Sequence, residues 1–172
     1  MTKGFENLEI REARPADLNT VLSILEEAAR WHVCRGIEGW SPGSFSRTRI
    51  LARIERGEMC LAELEGHPVG TFALQWSDEE TWGRTPEDAG YVHGLAVRRD
   101  FAGRGLGREL LGRAESMAAE SGKRYLRLDC VAENAALNAY YERAGFCYRG
   151  RVRVMGLDVS LYEREVRVFR EG

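Results

Sequence analysis

The sequence predicts an α/β (α+β) fold, a mixed, largely antiparallel sheet with one parallel βαβ unit at its centre and helices on its flanks. Three observations predict it. An apolar strand pattern at Gly90–Val97, a helical pattern at about Gly105–Ser121 and a strand pattern at Leu126–Cys130 follow one another at the length of a right-handed parallel crossover. On either side, alternating runs come in pairs, as hairpins do. The chain has 172 residues, of which 44% are apolar and 30% charged, enough to bury one core without disulfides or a metal.

The elements follow in order. Leu8 and Ile10 alternate with charged neighbours, the mark of a first strand. Pro15 opens a helix in which Leu18, Val21, Leu22, Leu25, Ala28 and Ala29 share one face. A second helix is expected from about Ser44 to Arg56, with Ile50, Leu51 and Ile54 inward and Gly57 as its stop. The connection between them, Trp31 to Trp40, is aromatic and punctuated by glycine. Met59–Leu64 and Val69–Trp76 make a hairpin around the turn Glu65–Pro68. Ser77–Ala89 carries Asp78, Glu79, Glu80, Glu87 and Asp88 against Arg84 and reads as a solvated loop. The helix after the glycine turn buries Leu106, Leu110, Leu111, Ala114, Met117 and Ala118, with Gly122 as its cap. A last helix runs from about Asn134 to Ala144 and ends at Gly145, and Arg149–Met155 and Ser160–Phe169 close the fold as a hairpin. No linker, repeat or low-complexity segment interrupts residues 1–172, so one domain is expected.

Charge and composition exclude several classes. Twenty-five basic residues against 27 acidic ones leave a net charge of −2, which speaks against a nucleic-acid binder. The first six residues hold no apolar stretch of a leader, and Gly66–Ser77 is too short and polar to span a bilayer, so no membrane partner is expected. Cys34, Cys60, Cys130 and Cys147 form no Cys-x-x-Cys, which predicts reduced thiols and a cytoplasmic setting. His32-x-Cys34 is too sparse for zinc, and no metal is expected.

The densest signal is Val97-Arg98-Arg99-Asp100-Phe101-Ala102-Gly103-Arg104-Gly105-Leu106-Gly107-Arg108. Alternating glycines where a strand meets a helix let backbone N–H groups converge on an anion, and the helix dipole adds positive potential there. Arg98, Arg99, Arg104 and Arg108 add charge, so a diphosphate is the natural guest. The spacing is neither G-x-G-x-x-G nor a P-loop. The bland alternative is a tight turn with a helix cap. A second constellation is Asn134-Ala135-Ala136-Leu137-Asn138-Ala139-Tyr140-Tyr141, followed by Gly145-Phe146.

Together these segments resemble the GNAT superfamily of N-acetyltransferases. That family's acetyl-CoA loop reads Arg/Gln-x-x-Gly-x-Gly/Ala, framed here by Ala102-Gly103-Arg104-Gly105-Leu106-Gly107, and its later motif sets an Asn seven residues before a Tyr, as Asn134 stands to Tyr141. The order of elements matches over most of the chain, and the resemblance is specific over about 90–146, the expected acetyl-CoA core. Ala102 departs from the family's Arg or Gln.

The resemblance implies acetyl-CoA as cosubstrate and direct transfer of acetyl to an amine, with a small molecule as the expected acceptor. Leu95, Ala96, Val97, Ala102, Gly103, Arg104, Gly105, Leu106, Gly107, Arg108, Asn134, Asn138 and Tyr141 are the implied coenzyme contacts. Tyr141 would protonate the leaving thiolate, or else is a core tyrosine. His93 would act as base, or else is a buried, bonded histidine. A backbone N–H near Leu95, beside a bulge at Gly94, would stabilise the oxyanion. Asn134 fits a helix cap as well as a coenzyme contact. The implied acceptor walls are Trp31, His32, Trp40, Trp76 and Trp82, aromatics that would equally pack a core edge. The acidic loop could attract an amine or polyamine. A protein N-terminus or lysine, a non-catalytic acetyl-CoA sensor, and a nucleotide-binding interaction domain remain alternatives. A homodimer through the closing strands is open.

Overall fold

The computed structural model describes residues 5–167. The chain forms β1 (Leu8–Glu12), α1 (Leu18–Cys34), α2 (Arg47–Glu55), β2 (Met59–Leu64), β3 (His67–Gln75), α3 (Glu79–Trp82), β4 (Ala89–Val97), α4 (Leu106–Glu120), β5 (Tyr125–Val131), α5 (Ala135–Arg143), β6 (Cys147–Val154) and β7 (Leu157–Glu165). The strand order is β1-β2-β3-β4-β5-β7-β6. The sheet is mixed and mostly antiparallel, with β4–β5 its parallel pair, as the sequence predicts. The chain divides into two compact units, one running up to Leu74 and taking in Gly94–Leu111, the other made of Gln75–His93 and the chain from Gly112 on.

In the first unit β2 pairs with β1 on one side and β3 on the other, with an irregularity at Ala62/Glu63. Pro15 stands in a 3-10 turn just before α1, where its missing N–H is no loss. The α1 face buries Val21, Leu22, Ile24, Leu25 and Ala28 against Ile50, Ile54, Met59, Leu61, Ala73 and Ala96. Ser46 caps α2 by accepting from the Arg49 N–H at 3.2 Å. At Gly70 a Cβ would stand 3.1 Å from the Ala96 carbonyl oxygen and 3.0 Å from Leu110 Cδ1, so only glycine allows β3 and the end of β4 to approach this closely.

In the second unit β4 pairs in parallel with β5 from Ala89↔Tyr125 to Tyr91↔Arg127, and that register ends there although both strands continue. β5 runs antiparallel to β7 along its whole length, and β7 to β6. Buried Arg127 ties this unit together: it donates to Glu163 at 2.8 Å and to the Tyr91 hydroxyl at 2.8 Å, and its guanidinium lies 5.1 Å from the Trp82 ring centre.

Three expectations are corrected. α1 continues to Cys34, so Trp31 and His32 stand on its last turns and not in a connection, because the following Gly36 (φ +65°) is the first residue that breaks the helix. The acidic stretch is not wholly a solvated loop: Asp78 accepts from the Thr81 N–H at 3.2 Å and nucleates α3. The final strand ends at Glu165, and the Val168–Phe169 end of the expected strand lies outside the described residues. Among the described residues no helix is long and apolar enough to cross a membrane.

Candidate active site

The glycine turn lies in the first unit. After β4 a 3-10 turn, Arg99–Phe101, leads through exposed Ala102–Gly105 into the fifteen-residue helix α4. Gly103 and Gly105 take φ of +75° and +89°, and nothing stands within 4 Å of where a side chain would be. The glycines are therefore required by backbone angle and leave open space beside N–H groups that α4 cannot satisfy internally. Such a cradle fits a diphosphate. Leu106 is 1% exposed, so only its backbone can face a ligand. The four arginines divide. Arg98 is committed to α1, donating to Ser23 at 3.0 Å and to Glu27 at 3.3 Å. Arg99 lies over the Trp31 ring at 4.5 Å, and burial lowers its pKa. Arg104 and Arg108 remain exposed. Gly94, at φ +57°, interrupts the extended backbone just before Leu95, Ala96 and Val97, where a bulge is expected.

The first unit also gathers three of the five implied acceptor residues. His32 has ring centres 5.7 Å from Trp31 and 5.8 Å from Trp40, which meets Phe45 edge-on at 5.7 Å. Trp40 and Phe45 pack against the core. Burial, and then the Arg99 charge, lowers the His32 pKa and keeps the ring neutral. Trp82 belongs to the second unit, held between Arg127 and Tyr91, and exposed Trp76 carries Lys123 at 5.5 Å.

His93 is brought together with two residues that the sequence reading did not single out. Its Nε2 lies 3.5 Å from Asp78 Oδ2, and one ligand atom each of Asp78, His93 and Asp129 lie within 4.8 Å of one another. The Asp78 side chain is 9% exposed, and Oδ2 makes no hydrogen bond. Burial first, and then the Asp78 charge, push the Asp129 carboxyl up to about 6. Asp129 was legible in part, since Leu126, Leu128 and Cys130 alternate inward and leave Arg127 and Asp129 on the other face of an interior strand. Asp78 carried a weaker signal, its cap spacing to Thr81.

Tyr141 is 6% exposed, with ring centres 5.9 Å from Phe146 and 6.1 Å from Tyr162. Burial, with the Cys130, Tyr140 and Asp129 charges, raises its pKa far above the ordinary phenol value, so the hydroxyl keeps its proton. Burial also pushes the Cys130 thiol up to about 12, which leaves it un-ionised. Asn134 caps α5, accepting from the Leu137 N–H at 3.1 Å. The Asn138 amide donates to the Val131, Ala132 and Asn134 carbonyls and accepts from the Tyr162 hydroxyl at 2.8 Å, so it links α5 to β5 and β7.

Residues 23–146 match the Acetyltransferase (GNAT) family. The chain belongs to that family. It is an acetyltransferase, similar to the uncharacterized N-acetyltransferase YesJ of Bacillus subtilis at 32% identity over 161 residues, 87% of this chain and 86% of the relative. A solved GNAT-family acetyltransferase from Listeria monocytogenes is 31% identical with a TM-score of 0.80, covering 96% of this chain and 98% of that one. The GNAT fold is also shared with yncA, a putative acetyltransferase from Salmonella typhimurium solved with acetyl-CoA, at 19% identity and a TM-score of 0.70 over 97% of this chain and 98% of that one.

Proposed function

We propose that this GNAT protein transfers acetyl from acetyl-CoA directly to the nitrogen of a small amine. The observation that carries the reading is the glycine turn Ala102–Gly107, with positive φ at Gly103 and Gly105, opening α4 inside the family match. The match runs through both units, which supports treating residues 1–172 as one acetyltransferase domain. The acetyl-CoA in the yncA structure supports the same cosubstrate here. Four free cysteines support a cytoplasmic setting.

Each residue's part follows from its chemistry. Backbone N–H groups of Gly103–Gly107 and the α4 dipole hold the diphosphate, and exposed Arg104 and Arg108 replace the charge that Ala102 lacks. Leu95–Val97 offer backbone to the pantetheine arm, with the Leu95 N–H toward the developing oxyanion. The bound thioester supplies the acetyl group and a thiolate leaving group. His93, within the carboxylate cluster of Asp78 and Asp129, accepts the proton that an attacking amine must lose. Tyr141, held neutral by burial, donates the proton that the thiolate must gain. Asn134 and Asn138 serve this site by fixing α5, which carries Tyr141.

The test is a thermal-shift titration with acetyl-CoA against ATP and NAD, followed by amine-dependent thiol release. A rise with acetyl-CoA alone, and thiol release that requires an amine, is the expected result. Stabilisation by ATP or NAD instead would overturn the reading, and binding without amine-dependent release would leave a sensor.

A further inference from the structure

Asp78 presents a carboxylate oxygen that is buried and unbonded beside a second carboxylate and an imidazole. Its Oδ1 caps α3, whereas Oδ2 makes no hydrogen bond in a side chain 9% exposed. The nearest donor, His93 Nε2, stands 3.5 Å away and makes no hydrogen bond to Oδ2, so the buried acceptor is left under-satisfied, and a cation carrying N–H bonds removes that cost. Asp129 stands close enough for ligand atoms of Asp78, His93 and Asp129 to lie within 4.8 Å of one another, so a single ammonium nitrogen reaches more than one of them. The neighbours bear on what else fits. Arg127, the cation on the same face of β5, is already engaged by Glu163 and Tyr91 and is not aimed at these carboxylates. Trp82, Tyr141 and Cys130 bring no cation either.

We infer that Asp78 and Asp129 seat the reacting ammonium of the acceptor, and that the acceptor class is a primary amine with no carboxylate on the carbon beside the nitrogen. This deepens the acetyltransferase reading and rests on it. A free α-amino acid would place its own carboxylate against two others in a half-buried cluster, where like charges repel. An amine whose carboxylate has been removed or amidated meets no such repulsion. The step balances: R–NH3+ passes one proton to the His93–Asp129 cluster, the freed nitrogen lone pair forms the N–C bond as the thioester C–S bond breaks, and the thiolate takes the Tyr141 proton. Tyr141 is then reprotonated by the proton that the new amide nitrogen gives up.

The experiment compares matched acceptors by thiol release at saturating acetyl-CoA: tyramine, L-tyrosine amide and L-tyrosine, and agmatine against L-arginine. The expected result is a kcat/KM about tenfold or more higher for tyramine, tyrosine amide and agmatine than for the free amino acids, since like charges brought together at a contact oppose binding strongly. Tyrosine amide controls for bulk at the α-carbon. Asp78→Asn keeps a capping oxygen for Thr81 and should move these ratios toward one while stabilisation by acetyl-CoA is retained. Equal or better use of tyrosine and arginine overturns the inference and leaves the acetyltransferase reading standing. If acetyl-CoA neither binds nor reacts, that reading falls, and calorimetric binding of the same five compounds still decides the seat: preference for the three uncarboxylated amines supports it, and no preference, including no binding at all, overturns it. Loss of the preference on dialysis against EDTA also overturns it, by making a bound divalent ion the charge that the carboxylates hold.

Discussion

Asp129 lies on β5 with Asp78, His93 and Tyr141 facing it from the segment before α3, from β4 and from α5, and Cys130 beside it in the chain. Burial first and Asp78 second push its carboxyl up to about 6. A raised acid holds its proton longer folded than unfolded, so its cost to stability is absent below the unfolded value near 4, grows as pH rises through about 4–6 and is complete above. Asp129→Asn should therefore be more stable than the parent by about 1–3 kcal/mol at pH 8, with the gain vanishing near pH 4. Thermal melts across pH check this, and a difference independent of pH would remove the buried charge as its cause. The same variant should flatten any rise of kcat/KM through about pH 6, and His93→Ala tells which partner carries the limb: an unchanged profile there assigns the proton to Asp129. Tyr141→Phe should lower turnover about a hundredfold or more with acetyl-CoA binding kept, as expected when a general acid is lost. Unchanged turnover would return Tyr141 to its aromatic cluster as a packing residue.

At the scale of elements, caps and close approaches make the clearest predictions. Asn134→Ala removes the oxygen that accepts the Leu137 N–H and should cost about 1 kcal/mol, with Asn134→Ser restoring most of it. If KM for acetyl-CoA moves while stability does not, Asn134 is a coenzyme contact after all. Gly70→Ala drives a Cβ to 3.1 Å from the Ala96 carbonyl oxygen, backbone that cannot swing aside. It should destabilise by about 1–3 kcal/mol, the usual range for overpacking, as a shift in urea midpoint with unchanged slope. Most elements were legible because their signals are local: Pro15, Gly57 and Gly122 punctuate the chain where helices start and stop. The misreadings share a cause. Trp31 and His32 look like loop residues by composition, yet helical hydrogen bonding carries past them to Cys34. Asp78 looks like one more exposed acid, yet its cap on Thr81 turns it inward.

For the whole molecule, acetyl-CoA at a hundredfold over its dissociation constant should add about 2.7 kcal/mol. For a chain of this size that is a rise of about 5–10 °C in melting temperature. No rise up to millimolar concentration would leave the glycine turn as structural punctuation. From residue order alone came the mixed sheet, the parallel crossover, the glycine turn and the family. The first three rest on periods of two and 3.6 residues and on backbone angles that glycine permits, all set within a few positions of the chain, and the family rests on the resemblance of the glycine turn and the Asn134–Tyr141 spacing to its motifs. Tertiary structure alone decided which charges remain available. Arg98 is claimed by Glu27, Arg127 by Glu163, and Asp78 and Asp129 are left beside His93 with a buried oxygen unbonded. Residues dozens of positions apart must first be brought together and stripped of water. Only then does the cost of an unpaired charge, which local sequence does not encode, select the chemistry of the site.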